Sequence, residues 1–101
     1  MDRRVRPLAS MAACAAAALV VGCGHPASHE ECRVIFDKSA ELELRAQRVT
    51  DPALIEERVT AVRSARGDEL IGKCVGRRIT DRAMSCVKAA QTDDEMDLCL
   101  Q

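Results

Sequence analysis

Apolar and polar positions alternate with two different periods along this chain. Leu8 to Val21 is a run of 14 residues, apolar apart from Ser10. A helix needs roughly 20 such residues to span a bilayer, so the run is too short to cross one. From Ser28 onward the pattern turns helical. Cys32, Ile35, Ser39, Leu42, Ala46 and Val49 recur at steps of three and four, which puts them on one stripe of a helix from about His29 to Arg48. Ser28-His29-Glu30-Glu31 has the form of a capping box that starts it. Thr50-Asp51-Pro52 is a boundary, with Asp51 as N-cap and Pro52 in the first turn of a second helix. Leu54, Ile55, Val59 and Val62 supply the apolar face of that helix. Gly67 is expected to kink or cap it, Leu70, Ile71 and Cys74 resume the pattern, and Gly76 ends it. Thr80 or Asp81 can cap a third helix with Ala83, Cys86, Val87 and Ala90 inward. Thr92-Asp93-Asp94-Glu95 reads as another capping box, opening a last helix with Met96, Cys99 and Leu100 on its apolar face. No stretch shows sustained strand-like alternation. The expected fold is all-α: two successive helical hairpins, three to four helices, over residues 29–101, with Gly24 to Ala27 as a tether.

Composition explains why such a domain needs cross-links. The chain has 101 residues and a single aromatic, Phe36. Aromatic side chains usually supply much of a core's buried area, so a core of Leu, Ile, Val, Ala and Met is thin. A chain of this size buries only about 60–65% of its unfolded surface. Cysteines are the available staples. Cys14 lies within the apolar run and reads as a small filler. Setting aside Cys14 and Cys23 leaves Cys32, Cys74, Cys86 and Cys99, an even number that reads as two disulfides. Helix geometry selects among the three pairings. In a hairpin turning near Asp51, Cys32 and Cys74 lie at level ends. In a hairpin turning near Gln91, Cys86 and Cys99 do the same. The expected bridges are Cys32–Cys74 and Cys86–Cys99.

The first 23 residues carry a different message. Arg3, Arg4 and Arg6 precede the short apolar run, which is the layout of an export signal. Val20-Val21-Gly22-Cys23 resembles a lipobox, the recognition site of bacterial lipoproteins, with Val20 in the place usually held by Leu and the small Gly22 directly before the cysteine. The resemblance implies that residues 1–22 are a signal peptide cut between Gly22 and Cys23. It implies that Cys23 carries a diacylglycerol and that residues 23–28 tether the domain to a membrane. It also implies that Gly24, in place of Asp, favours the outer membrane over the inner one, with the domain facing the periplasm. The Cys86–Cys99 segment is similar to short cysteine-stapled helical hairpins in small lipoproteins of Gram-negative bacteria, a likeness that implies no activity.

Charge narrows the partners. Beyond residue 22 there are 12 Lys/Arg and 15 Asp/Glu, a net charge of −3. A mixed, mildly acidic surface argues against nucleic acid, which selects clustered positive charge. Arg77-Arg78 reads as a solvated turn, with contact to an anionic partner or lipid head group as the other reading. The cysteine gaps of 42, 12 and 13 residues lack the close ligand pairs of structural zinc sites. His25, His29 and Cys32 are spaced four and three apart, which could place His29 and Cys32 on one helical face, but Pro26 lies between the histidines and no fourth ligand is nearby, so the two histidines read as exposed groups beside the tether and no metal or other cofactor is expected. A redox enzyme would want a CxxC pair or a low-pKa thiol. Glu56/Glu57 and Asp93/Asp94 point apart on helices and read as surface charge or caps. No catalytic set emerges. The expectation is a non-enzymatic envelope lipoprotein that binds another envelope protein, with a small-ligand or metal-handling lipoprotein as the alternative.

Overall fold

A computed structural model describes residues 24–101. The run Leu8–Val21, Cys14, Gly22 and Cys23 lie outside them. The chain begins with a two-residue strand, β1 (His25–Pro26), and then forms the long helix α1 (His29–Ala46). A second helix α2 (Pro52–Val62) passes through one π-helical turn (Arg63–Gly67) into α3 (Asp68–Cys74). Strand β2 (Arg78–Ile79), α4 (Asp81–Ala89) and α5 (Asp93–Cys99) complete the described chain. The fold is all-α apart from the small β1–β2 pair, with α2–α3 folding back along α1 and α4–α5 forming a second hairpin. Helix α1 touches every other helix and is the spine of the domain. Among the described residues no helix is long and apolar enough to cross a membrane.

The caps follow the sequence closely. The Ser28 hydroxyl accepts from the Glu31 amide at 3.1 Å, and the Glu31 carboxylate accepts from the Ser28 amide at 2.9 Å, closing the box at the start of α1. Asp51 accepts from the Ala53 amide at 3.1 Å, with Pro52 in the first turn of α2. Thr80 accepts from the Ala83 amide at 3.0 Å and starts α4. The fourth cap differs in detail. Thr92 accepts from the Glu95 amide at 3.2 Å, but the Glu95 carboxylate reaches one residue further back, to the Gln91 amide at 2.6 Å. Helix α1 stops at Ala46, two residues short of the expected end. Arg48 takes a left-handed backbone with φ 68°, which lets the Val49 amide bond Leu44 and the Arg48 amide bond Arg45, so the last carbonyls find partners.

Gly67 does not break the second helix. The apolar positions facing α1 fall at Ile55, Val59, Gly67 and Ile71, with Arg63 half-buried between them, which is a spacing of four. At 3.6 residues per turn an unbroken α-helix would carry Ile71 about 160° round from Ile55. The π turn inserts one residue and recovers most of that drift. Val62 and Leu70, which the sequence pattern expects to face inward, are exposed at 41% and 39%.

Two small apolar clusters sit on opposite ends of α1. Ala27, Cys32, Ile71, Ile79 and Met84 form the first, flanked by Phe36 and Cys74. Leu42, Val87, Ala90 and Met96 form the second, flanked by Cys99. Ile35 packs against both and joins them. Each cluster is closed by a disulfide. Cys32 and Cys74 are bonded with their Cα atoms 5.8 Å apart, and Cys86 and Cys99 with theirs 5.6 Å apart. Cys86 and Leu100, expected inward, are exposed, and Met84 takes the inward place on α4.

The main departure from expectation is the segment Gly24–Ala27. It pairs antiparallel with β2, His25 opposite Ile79 and Pro26 opposite Arg78. The Ala27 amide donates to Arg77 at 2.7 Å, and the Gly76 amide donates to Ala27 at 2.8 Å. Ala27 is buried in the first cluster. Gly24 has φ +65°, and a Cβ there would stand 2.5 Å from the Ile79 carbonyl oxygen. Only glycine fits this approach. The stretch is therefore fastened to the domain and has no slack of its own.

Candidate functional site

The junction of β1, β2 and the N-termini of α1 and α4 gathers polar groups distant in sequence. His25 leaves β1 and points Nε2 at the Glu31 carboxylate, 2.8 Å from one oxygen and 3.1 Å from the other. Its Nδ1 lies 3.9 Å from Asp81, the first residue of α4. The imidazole is thus bonded to one carboxylate, on α1, and stands near a second, on α4. Glu31 serves two partners at once. The Ser28 backbone amide, chiefly, and the His25 ring hold its carboxyl below the usual glutamate range. Both contacts favour the charged form.

The same three residues can each offer one ligand atom, all lying within 4.8 Å of one another. This is a different set from His25, His29 and Cys32. Cys32 is locked in a disulfide, and His29 is exposed on α1. One imidazole and two carboxylates suit a borderline divalent ion such as zinc. Against that, the positive ends of α1 and α4 both sit here, and helix N-termini favour negative charge. Each carboxylate already has a role in that field.

A second polar cluster lies midway along the spine. Arg33 and Arg63 both donate to Asp37 Oδ2. Arg33 also pairs with Glu30, whose hydrogen bond raises the arginine's pKa above its usual value and draws Glu30's down. Asp37 Oδ1 is buried without a hydrogen-bond partner among the described residues. The cluster pins the π turn to α1. It borders an open groove of about 470 Å³ between α1 and α2, lined by Val34, Ile55 and Val59 with Asp37, Lys38 and Arg63 at its polar edge. Lys38 reaches across to donate to the Lys88 carbonyl at 3.1 Å, satisfying an acceptor in the last turn of α4.

Chemically these groups are structural in what they touch. All four described cysteines are in disulfides, so none of them offers a thiol. A hydroxyl or thiol nucleophile is activated by a base within hydrogen-bond reach. The side chains on the His25 ring are carboxylates. Arg77, just before β2, and Arg78, its first residue, are both exposed. Arg78 Nη1 lies 3.5 Å from the Gly24 carbonyl oxygen. Cys23 and Gly22 lie outside the described residues, but Gly24, bonded to Cys23, is part of this junction. The sequence missed the junction because its members, at 24–31 and 76–81, come together only when β1 pairs with β2. The turn-forming Gly76 was the one local hint.

The class defined by the fold is a small all-α domain with two disulfides. Compared with protein families, with curated proteins and with solved structures, the chain matches none of them.

Proposed function

We propose that this chain is an exported lipoprotein of the bacterial cell envelope. It is cut after Gly22, lipidated on Cys23 and anchored on the periplasmic side of a membrane, the outer one in preference to the inner. There it acts as a non-enzymatic accessory module that binds another envelope protein. The observation that carries the reading is the order of parts along the chain. An export pattern ends at a lipobox-like cysteine, and the domain that starts at the very next residue is held together by two disulfides. Disulfides form and persist in oxidising compartments. One acyl chain binds a membrane only marginally, while two or three on one residue anchor it stably. Exposed apolar side chains, Leu98 at 68% and Leu100 at 44%, give the end of the second hairpin a surface for a partner.

Intact-mass measurement on protein from its own host tests the anchor. The expected mass lacks residues 1–22, carries acyl groups on Cys23 and is short of four hydrogens for two disulfides. A full-length, unlipidated chain overturns it. Cross-linking from membranes with Leu98 replaced by a photoreactive residue should recover one dominant protein, and recovery of none overturns the partner role.

A second reading, a metal-handling lipoprotein, rests on His25, Glu31 and Asp81. Elemental analysis of the native protein decides it: stoichiometric zinc, lost in His25→Ala, supports it, and its absence removes it.

A further inference from the structure

We infer that the turn Val75–Arg78 is a contact for anionic phospholipid head groups, which lays the domain against the bilayer that anchors it. The inference rests on the lipid-anchor reading above and adds an orientation to it.

The first support is the lack of a leash. Consecutive Cα atoms are about 3.8 Å apart, so Cys23 cannot leave the neighbourhood of Gly24. Gly24 in turn is seated against the Ile79 carbonyl, at the mouth of the β1–β2 pair. Acyl chains on Cys23 would bring whatever surrounds Gly24 to within a residue or two of the head groups. What surrounds it is β2 and the turn that feeds it. Arg78 lies on the Gly24 carbonyl, and the Arg77 carbonyl receives the Ala27 amide.

The second support is charge. Arg77 and Arg78 are exposed, and among the described residues neither forms an ion pair with a carboxylate. Val75, next to them, is 44% exposed and offers an apolar side chain for the interface. Glu31 and Asp81 also stand at this end, but both face the His25 ring. The chain beyond residue 22 carries a net −3. An anionic surface therefore attracts this turn and repels much of the rest, which is a torque as well as an attraction. Each arginine near such a surface favours the apposed orientation by about fivefold. The effect fades when salt shortens the screening length to about 3 Å at 1 M.

Helix α1, with 18 residues, runs about 27 Å away from this end. The loop Gln47–Asp51 at its far end is an internal control. The test uses lipidated protein from its own host, its acylation verified by mass, in nanodiscs of phosphatidylcholine with or without phosphatidylglycerol. Nitroxide is placed on the lipid head groups. Paramagnetic broadening of the Gly76–Ile79 amides should exceed that of Gln47–Asp51, and the excess should grow when phosphatidylglycerol is present. Arg77→Gln alone, which leaves the Arg78–Gly24 contact, should lower the ratio of apposed to other orientations about fivefold. Arg77→Gln/Arg78→Gln should remove the dependence on anionic lipid. Equal broadening in both lipid mixtures on a lipidated protein overturns the contact while leaving the anchor standing. A native protein without lipid overturns the anchor and this inference together. If the double variant fails to form its disulfides, the single variant decides.

Discussion

Glu31 shows how one side chain can hold three pieces of chain. Its carboxylate closes the α1 capping box on the Ser28 amide and receives His25 from β1, and the same imidazole reaches toward Asp81 on α4. The Ser28 amide is the larger cause of its lowered pKa and His25 the next. A carboxyl whose folded pKa is depressed contributes stability that is present above its unfolded value, about 4.3. That contribution is lost as pH falls through the folded pKa. Carbon-13 NMR of the Glu31 carboxyl should therefore show a midpoint below about 4.3. In His25→Ala the midpoint should rise but stop short of the ordinary value, because the backbone contact survives. A midpoint unmoved by His25→Ala would show that the ring contributes nothing to holding β1. At this scale the sequence was a good guide to Ser28, Asp51 and Thr80, since a cap needs only its own next three residues. His25 was not legible, because its partners are brought to it by β1–β2 pairing.

The second helix is the element where pattern and packing disagree. Its buried positions are spaced by four, and an α-helix cannot keep such a row facing one neighbour over so many turns. The π turn at Arg63–Gly67 resolves the conflict, and Gly67 is part of how it does so. A Cβ there would stand 2.8 Å from Arg63 Cγ, and Arg63 is the residue that bridges to Asp37. Gly67→Ala should thus push Arg63 away and destabilise the protein. In an Arg63→Ala background the same change meets only ordinary contacts, the next being 3.5 Å to the Arg63 Cβ. There it should stabilise by about 0.5–1 kcal/mol through helix propensity and lost unfolded-state freedom. Urea unfolding of the four proteins in the cycle measures the coupling. Additive effects would mean that Arg63 does not constrain this turn. The sequence marked Gly67 as a place where the helix changes, but the choice among kink, cap and π turn depends on where α1 lies.

For the molecule as a whole, cross-links replace the core that composition withholds. Both apolar clusters are built from medium and small side chains, with Phe36 only half-buried at the edge of one. Chain-entropy arguments give about 4 kcal/mol for the bridge closing 42 residues and about 3 kcal/mol for the one closing 13. Each is comparable with the net stability of a small domain. Cys32→Ala/Cys74→Ala should therefore lower the thermal midpoint further than Cys86→Ala/Cys99→Ala, and reduction of both bridges should abolish cooperative unfolding by circular dichroism. A fully reduced protein that still melts cooperatively near the native temperature would show that the clusters suffice alone.

Helix content, caps and the pairing of four cysteines were determined by the sequence, because each depends on short-range spacing or on the fixed rise of a helix. The position of α4–α5 on α1, the outward turn of Val62 and Leu70, and the docking of Gly24–Ala27 onto β2 were decided only by tertiary structure. They depend on contacts between residues far apart in the chain, 26 apart for Asp37 and Arg63 and 50 for Ala27 and Arg77. No local pattern encodes such contacts, since a two-residue strand has no periodicity to read. Whether Gly24–Ala27 hangs free of the domain or lies against it is set by that distant pairing.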